Sequence, residues 1–172
     1  MSNEHESFEI LSRPNHSIIS ASMVARHSGA PVFVPWDTYL DDRGWSLMNL
    51  FQGGVLAGGQ INYSHIYPGT VKAWHAHDYQ MDFWVCLHGH IKVGVWDEEV
   101  DQLWHKYVGD RAPAVIIIPP GLWHGLTVIG PEPAGLLYYV DREYNPENPD
   151  ERRMELHSPH GPPAQFWDVQ HR

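Results

Sequence analysis

Apolar and polar residues alternate over short stretches through most of this chain, and clusters of turn-forming residues cut the stretches apart. Breaks at Asp41-Asp42-Arg43-Gly44, Gly58-Gly59, Pro68-Gly69, Gly89, Pro119-Pro120-Gly121 and Gly130-Pro131 leave runs of strand length between them. Such runs at close intervals mark an all-β sandwich or barrel. The predicted strands are Trp45–Phe51, Gln60–Ile66, Val71–His77, Phe83–Leu87, Ile91–Trp96, Val115–Ile118, Gly125–Ile129 and Gly135–Val140. Met81–Leu87 and Val115–Ile118 are hydrophobic runs that belong to the interior of the barrel. Residues 1–30 show no sustained period and read as an extension with one strand near Ser17–Ser20. After Tyr144 proline and charge take over, with a short helix expected at Pro149–Glu155 and an irregular tail behind it. The organisation expected is an N-terminal extension at 1–30, one antiparallel barrel at 31–150 and a tail at 151–172.

Length and composition narrow this picture. A chain of 172 residues is long enough to bury one real core. A net charge of −10 with no basic run argues against nucleic acid as a partner and leaves small molecules. Cys86 stands alone, so no internal disulfide can form, which suits a reducing cytoplasm. Its expected role is that of a small buried apolar residue. No stretch has the apolar length of a membrane span, and the first nine residues are not signal-like. The expectation is a soluble cytoplasmic protein.

Histidine changes the picture most. His75 and His77 lie two apart, so on a strand they share a face. Asp82 follows just past a short turn, and His124 follows the Pro119-Pro120-Gly121 corner. Three imidazoles and a carboxylate are donors for a divalent transition metal such as Fe, Mn, Ni or Zn. Each histidine alone reads as surface decoration or a satisfied core group. The four together read as a metal set.

These residues carry a resemblance. Gly69, His75, His77, Asp82 and Gly89 resemble the first cupin motif, with Asp in place of the usual glutamate, and Pro119, Gly121 and His124 resemble the second. Val128 stands where that motif often ends in asparagine. From about Asp37 to Glu151 the chain also resembles the dTDP-4-dehydrorhamnose 3,5-epimerase family of cupin-fold proteins. Asp42-Arg43-Gly44 is similar to its early turn, and Gln60, Asn62 and Ser64 to its Q-x-N-x-S run. Gly69 through His75, Ile118 through Gly125, Leu137-Tyr138 and Tyr144 through Glu147 follow in the family's order. The resemblance implies a cupin or jelly-roll-like barrel and a homodimer, with residues before Tyr39 at the interface. It implies proton removal and return beside a 4-keto group of a nucleotide-linked deoxysugar. On that basis Arg43 contacts the diphosphate through its planar guanidinium. Lys72 adds charge beside the sugar or diphosphate, and Gln60 and Asn62 orient the substrate. His75 falls on the catalytic base and Tyr138 on the tyrosine that returns the proton.

Three departures matter. Ser158 stands where the family has the carboxylate partner of its base, Asp82 where it has a lysine, and His77 where glutamine is usual. A metal-bound His75 cannot also be a general base, so its two implied roles exclude each other, and the ligand role is the favoured one. The proton shuttle then falls to Tyr138, His65 or a bound water. Gln80 is an additional ligand or a hydrogen-bond donor near the site. Two function classes stay open: a metal-bearing epimerase or isomerase, and a mononuclear metal cupin (oxygenase, isomerase or lyase) on a non-nucleotide small molecule. A non-catalytic binding cupin ranks below both.

Overall fold

A computed structural model describes residues 9–10, 17–51 and 55–168. The strands are β1 (Glu9–Ile10), β2 (Val32–Pro35), β3 (Tyr39–Asp41), β4 (Gly44–Ser46), β5 (Gln60–Ile66), β6 (Val71–Ala76), β7 (Asp82–His88), β8 (His90–Asp97), β9 (Gln102–Gly109), β10 (Ala114–Ile118), β11 (Trp123–Val128), β12 (Ala134–Val140) and β13 (Arg152–Arg153). One helix, α1 (Ile18–Ser28), precedes the barrel, and a 3-10 turn at Ala164–Trp167 lies near its end. Sheet order is β1-β2-β10-β7-β12-β5 on one side and β13-β6-β11-β8-β9 on the other, with β3 and β4 forming a separate two-stranded ribbon. Apart from the parallel β1–β2 pair, every pairing among the described residues is antiparallel. This is the all-β, jelly-roll-like cupin barrel expected.

Burial explains why two central strands read as continuous apolar runs. On β7, Trp84 and Cys86 point into the space between the sheets, while Phe83 and Val85 pack outward under α1. On β10, Ile116 and Ile118 face inward, and Val115 and Ile117 meet the helix layer. Strands covered on both faces lose their alternation. Each fully buried Ile or Val contributes roughly 1.5–3 kcal/mol relative to exposure. A third apolar layer on the outer face of the second sheet joins Trp74, Trp96 and Trp123 to Trp167 of the 3-10 turn. The chain after the barrel is thus packed against it.

Several local expectations are corrected. Ser17–Ser20 is not a strand but the start of α1: the Ser17 hydroxyl accepts the Ser20 amide and Gly29 closes the helix in the left-handed region. Ile18, Ala21 and Ala25 form its buried stripe. Trp45–Phe51 is strand only at its start, in the ribbon. The helix expected at Pro149–Glu155 is instead β13, which pairs Arg152 with Ala76 and Arg153 with His75. Strand β9 was not among those predicted, because its side chains mix large amphipathic and charged groups at intermediate exposure. Cys86 is buried, as expected, and burial pushes its thiol up to about 12. No helix among the described residues is long and apolar enough to cross a membrane.

Candidate metal centre and pocket

Strand register brings the predicted ligands together. His75 and His124 are direct partners across β6 and β11. The register slips between His124 and Leu126, and Gly125 stands at the slip. A Cβ there would lie 2.3 Å from the Ala73 Cβ, so only glycine lets β6 press this closely against β11. His77 follows the end of β6, and its carbonyl accepts the Gly121 amide at 2.7 Å, which ties it to the Pro119-Pro120-Gly121 corner. Asp82 opens β7 on the opposite sheet. The cluster therefore bridges the two sheets, and one donor atom from each of His75, His77, Asp82 and His124 lies within 4.8 Å of the others.

The donors are oriented from behind. His124 Nδ1 bonds the Leu122 carbonyl at 2.9 Å, and His77 Nδ1 bonds the Asp150 carbonyl. A ring nitrogen that faces a carbonyl must carry the proton, which leaves each Nε2 as a lone pair directed inward. His77 Nε2 lies 3.9 Å from Asp82 Oδ1 and His124 Nε2 lies 3.6 Å from Asp82 Oδ2. Both are beyond hydrogen-bond length, and the buried His124 Nε2 has no hydrogen-bond partner among the described residues. Asp82 accepts from Gln80 Nε2 at 2.7 Å and from Trp84 Nε1 at 2.9 Å. Burial pulls its carboxyl upward, but the facing His124 and His77 and the Gln80 donor outweigh this and leave it lowered to about 2. Burial and the neighbouring His124 hold His75 well below its ordinary value. A neutral, desolvated imidazole is a good ligand and a poor proton acceptor. An unpartnered inward nitrogen, fixed tautomers and an ionised carboxylate together fit a divalent cation.

His75, His77 and Asp82 open onto a pocket of about 1170 Å³, with His124 behind them. Residues two apart on β5 place Gln60, Asn62 and Ser64 on its wall, and Tyr138 and Lys72 line it too. Tyr138 sits in register between Asn62 and Trp84, and the Trp84 ring stacks 6.2 Å from His75. Gln60 already uses its amide oxygen to hold the Tyr144 amide at 3.1 Å. Gln80 is a donor to Asp82 in this structure. Two expected residues are elsewhere. Arg43 lies on the exposed ribbon, bonded to Asp41 with its Nε at 3.2 Å, because the tight β3–β4 turn seats the two side chains together. His65 points away from the pocket by strand alternation and contacts Tyr67 and His88 instead. Ser158 caps a local turn by accepting the His160 amide. No carboxylate among the described residues lies within ion-pairing distance of His75, so none of them stands in for the carboxylate that the resemblance places at Ser158.

Asp150 was missed from sequence. Its carboxylate accepts the consecutive amides of Asp78, Tyr79 and Gln80 at 2.8, 3.0 and 2.9 Å. Side-chain patterning carries no trace of a bond to backbone amides in a distant turn.

Comparison with known proteins agrees with this architecture. A spore coat polysaccharide biosynthesis protein, SpsL of Bacillus subtilis, is 37% identical over 101 residues, spanning 56% of this chain and 67% of that protein. A probable low-salt glycan biosynthesis epimerase, Agl13 of Haloferax volcanii, is 42% identical over 98 residues, spanning 54% of this chain and 63% of that protein. Among solved structures, a dTDP sugar isomerase from Desulfovibrio desulfuricans superposes with a TM-score of 0.68, covering 76% of this chain and 87% of that one. At 21% identity that likeness is one of fold. Residues 39–152 match the polysaccharide biosynthesis C-terminal domain, about two-thirds of the chain and the part that holds most of the barrel and its four inward donors, and the chain belongs to that family.

Proposed function

We propose that this chain is an epimerase or isomerase acting on a nucleotide-linked 4-keto-deoxysugar or a related keto compound. His75, His77, Asp82 and His124 would hold a divalent transition metal (Fe, Mn, Ni or Zn). One observation carries the reading: a single pocket collects Asn62, Lys72, His75 and Tyr138 beside that donor set. The epimerase and isomerase names of similar proteins support the same class. A cation held there would supply Lewis acidity toward a carbonyl oxygen. Lys72 supplies charge at the wall, Asn62 orients polar substrate groups, and the Tyr138 hydroxyl moves the proton. His75 acts as ligand rather than base, since it is desolvated and lacks an orienting carboxylate. Deuterium wash-in next to the ketone, followed by NMR in heavy water with dTDP- and UDP-4-keto sugars, tests this. Tyr138→Phe is expected to slow exchange about 10²–10⁴-fold. No exchange with any such sugar overturns the proposal.

A homodimer belongs to the same proposal. Tyr39, Leu40, Trp45 and Met48 are exposed on or beside the ribbon that carries Arg43. A second copy covering that apolar face would give Arg43 a route to a neighbouring pocket, and sedimentation equilibrium decides it. A cytoplasmic location fits the lone cysteine and is part of the reading.

A second reading, a mononuclear metal-dependent oxygenase, isomerase or lyase on a non-nucleotide molecule, has its own support. Besides Asp82, the pocket is lined by Asp141, Glu143, Asp150, Glu151 and Glu155 against Lys72, Arg142 and Arg153. That balance suits a diphosphate poorly while Arg43 lies outside. Fe(II)-dependent oxygen uptake that disappears in His77→Ala would favour it.

A further inference from the structure

We propose that Asp150 is the positioning residue of the donor set, acting on His77 and Asp82 through the turn between them. The proposal rests on the metal reading of the site and extends it to a residue outside the four donors. One residue makes two kinds of contact. Its carboxylate takes all three successive amides of the turn: Oδ1 accepts from Asp78 at 2.8 Å, and Oδ2 from Tyr79 at 3.0 Å and Gln80 at 2.9 Å. Its backbone carbonyl bonds His77 Nδ1.

Each contact has a separate consequence. The three amides converge on one acceptor, which fixes the path of the chain from His77 to Asp82. Bonds from backbone N–H to an ionised carboxylate are among the stronger hydrogen bonds. Holding the Gln80 amide also places the Gln80 side chain, whose Nε2 donates to Asp82 Oδ1 at 2.7 Å. That donor occupies one lone pair of Asp82 and sets which of the others faces inward. The carbonyl contact requires the proton of neutral His77 on Nδ1, so Nε2 is the free lone pair, 3.9 Å from the same Asp82 oxygen. In free histidine the proton exchanges between the two nitrogens, so a fixed tautomer must come from the protein.

Asp150 is itself held. It directly precedes the segment that leads into β13, whose pairing runs beside His75 and Ala76. Arg152 forms an ion pair with Asp78 Oδ1 at 3.0 Å and donates to Glu98 Oε1 at 3.3 Å. The turn is therefore gripped from both sides by a segment about 70 residues further along the chain. A turn cap of purely structural value would not need its carbonyl on the imidazole.

The test uses the full chain and two readouts, one of which needs no metal. Nitrogen-15 NMR of the imidazoles in metal-free protein at alkaline pH should find His77 as the Nδ1–H tautomer in the wild type. Asp150→Ala keeps the backbone carbonyl but removes the carboxylate that holds the turn against it, so the carbonyl should drift from His77 and the signal move toward the Nε2–H form or a mixture. Zn²⁺ affinity, measured by calorimetry against a competing chelator, should fall about 10–100-fold in the same variant. Asp150→Asn keeps one acceptor oxygen and the side chain's shape, so it should recover part of both. If Asp150→Ala does not fold, Asp150→Asn carries both comparisons against wild type. An unchanged His77 tautomer together with Zn²⁺ affinity within about twofold of wild type overturns the role of Asp150. A wild type that binds no Zn²⁺, Fe²⁺, Mn²⁺ or Ni²⁺ defeats the metal reading instead, and the tautomer comparison then decides Asp150 alone.

Discussion

Strand β7 begins at one histidine group and ends at another, and the two could hardly differ more. At its start Asp82 is buried between the imidazoles of His75, His77 and His124. At its end His88 meets Tyr63 Oη at 3.1 Å and the His65 ring at 5.9 Å on the outer surface. Residue type is the same at both ends. The first group has a carboxylate at its centre, carbonyls that fix two tautomers, and an inward nitrogen without a partner. The second has phenol and imidazole partners that are satisfied or wet, and no carboxylate pairs with His65 or His88 among the described residues. Histidine content makes neither group a site. Convergence on a desolvated acceptor makes the first one a candidate.

The largest effect that separates the two groups is on metal binding. His124→Ala should abolish stoichiometric Zn²⁺ uptake, read by mass spectrometry of the purified protein, while His88→Ala leaves it unchanged. Equal uptake in both variants, or loss in the second alone, breaks the comparison.

An intermediate effect lies in the acid stability of the metal-free protein. His75 is held below its ordinary 6.5, so the unfolded chain takes a proton that the folded one refuses. Its contribution is complete above 6.5 and declines as pH falls. The Asp82 carboxyl is lowered from 3.8 to about 2, which adds about 2 kcal/mol above 3.8 that is lost as pH falls through 2. Urea midpoints across this range should therefore fall toward acid. Asp82→Asn should remove the lower limb, and a variant that kept the full slope would show that other carboxylates carry it.

The smallest effect concerns the outer pair. Tyr63→Phe deletes its hydrogen bond to His88 on a wet surface, and should change unfolding free energy by no more than about 0.5 kcal/mol and metal uptake not at all.

The same contrast explains what could be read in the sequence. The convergence of His75, His77, Asp82 and His124 was legible because strand period and a short turn fix their relative directions, and the Pro119-Pro120-Gly121 corner announces the strand that carries His124. Helix α1 was not, since its buried stripe is one isoleucine and two alanines, too weak an apolar signal beside the capping Ser17 and Gly29. Arg43 is assigned to the pocket by resemblance, and His65 as one alternative for the proton shuttle beside a metal-bound His75. The first sits on a ribbon outside it, and the second falls on the wrong side of a strand whose alternate residues do line it. Asp150 left no trace because its partners are backbone groups far away along the chain.

The pairing of β13 with β6 also governs when the site comes into being. His77 and Asp82 are neighbours in sequence and can meet early, but His124 joins through β11 and the Asp150 segment through β13. Closing such distant contacts is the slow part of building a β-rich protein. During synthesis or refolding, the four-donor set would therefore wait for the long-range β6–β11 pairing that brings in His124, and metal uptake, on the proposed reading, would report that pairing.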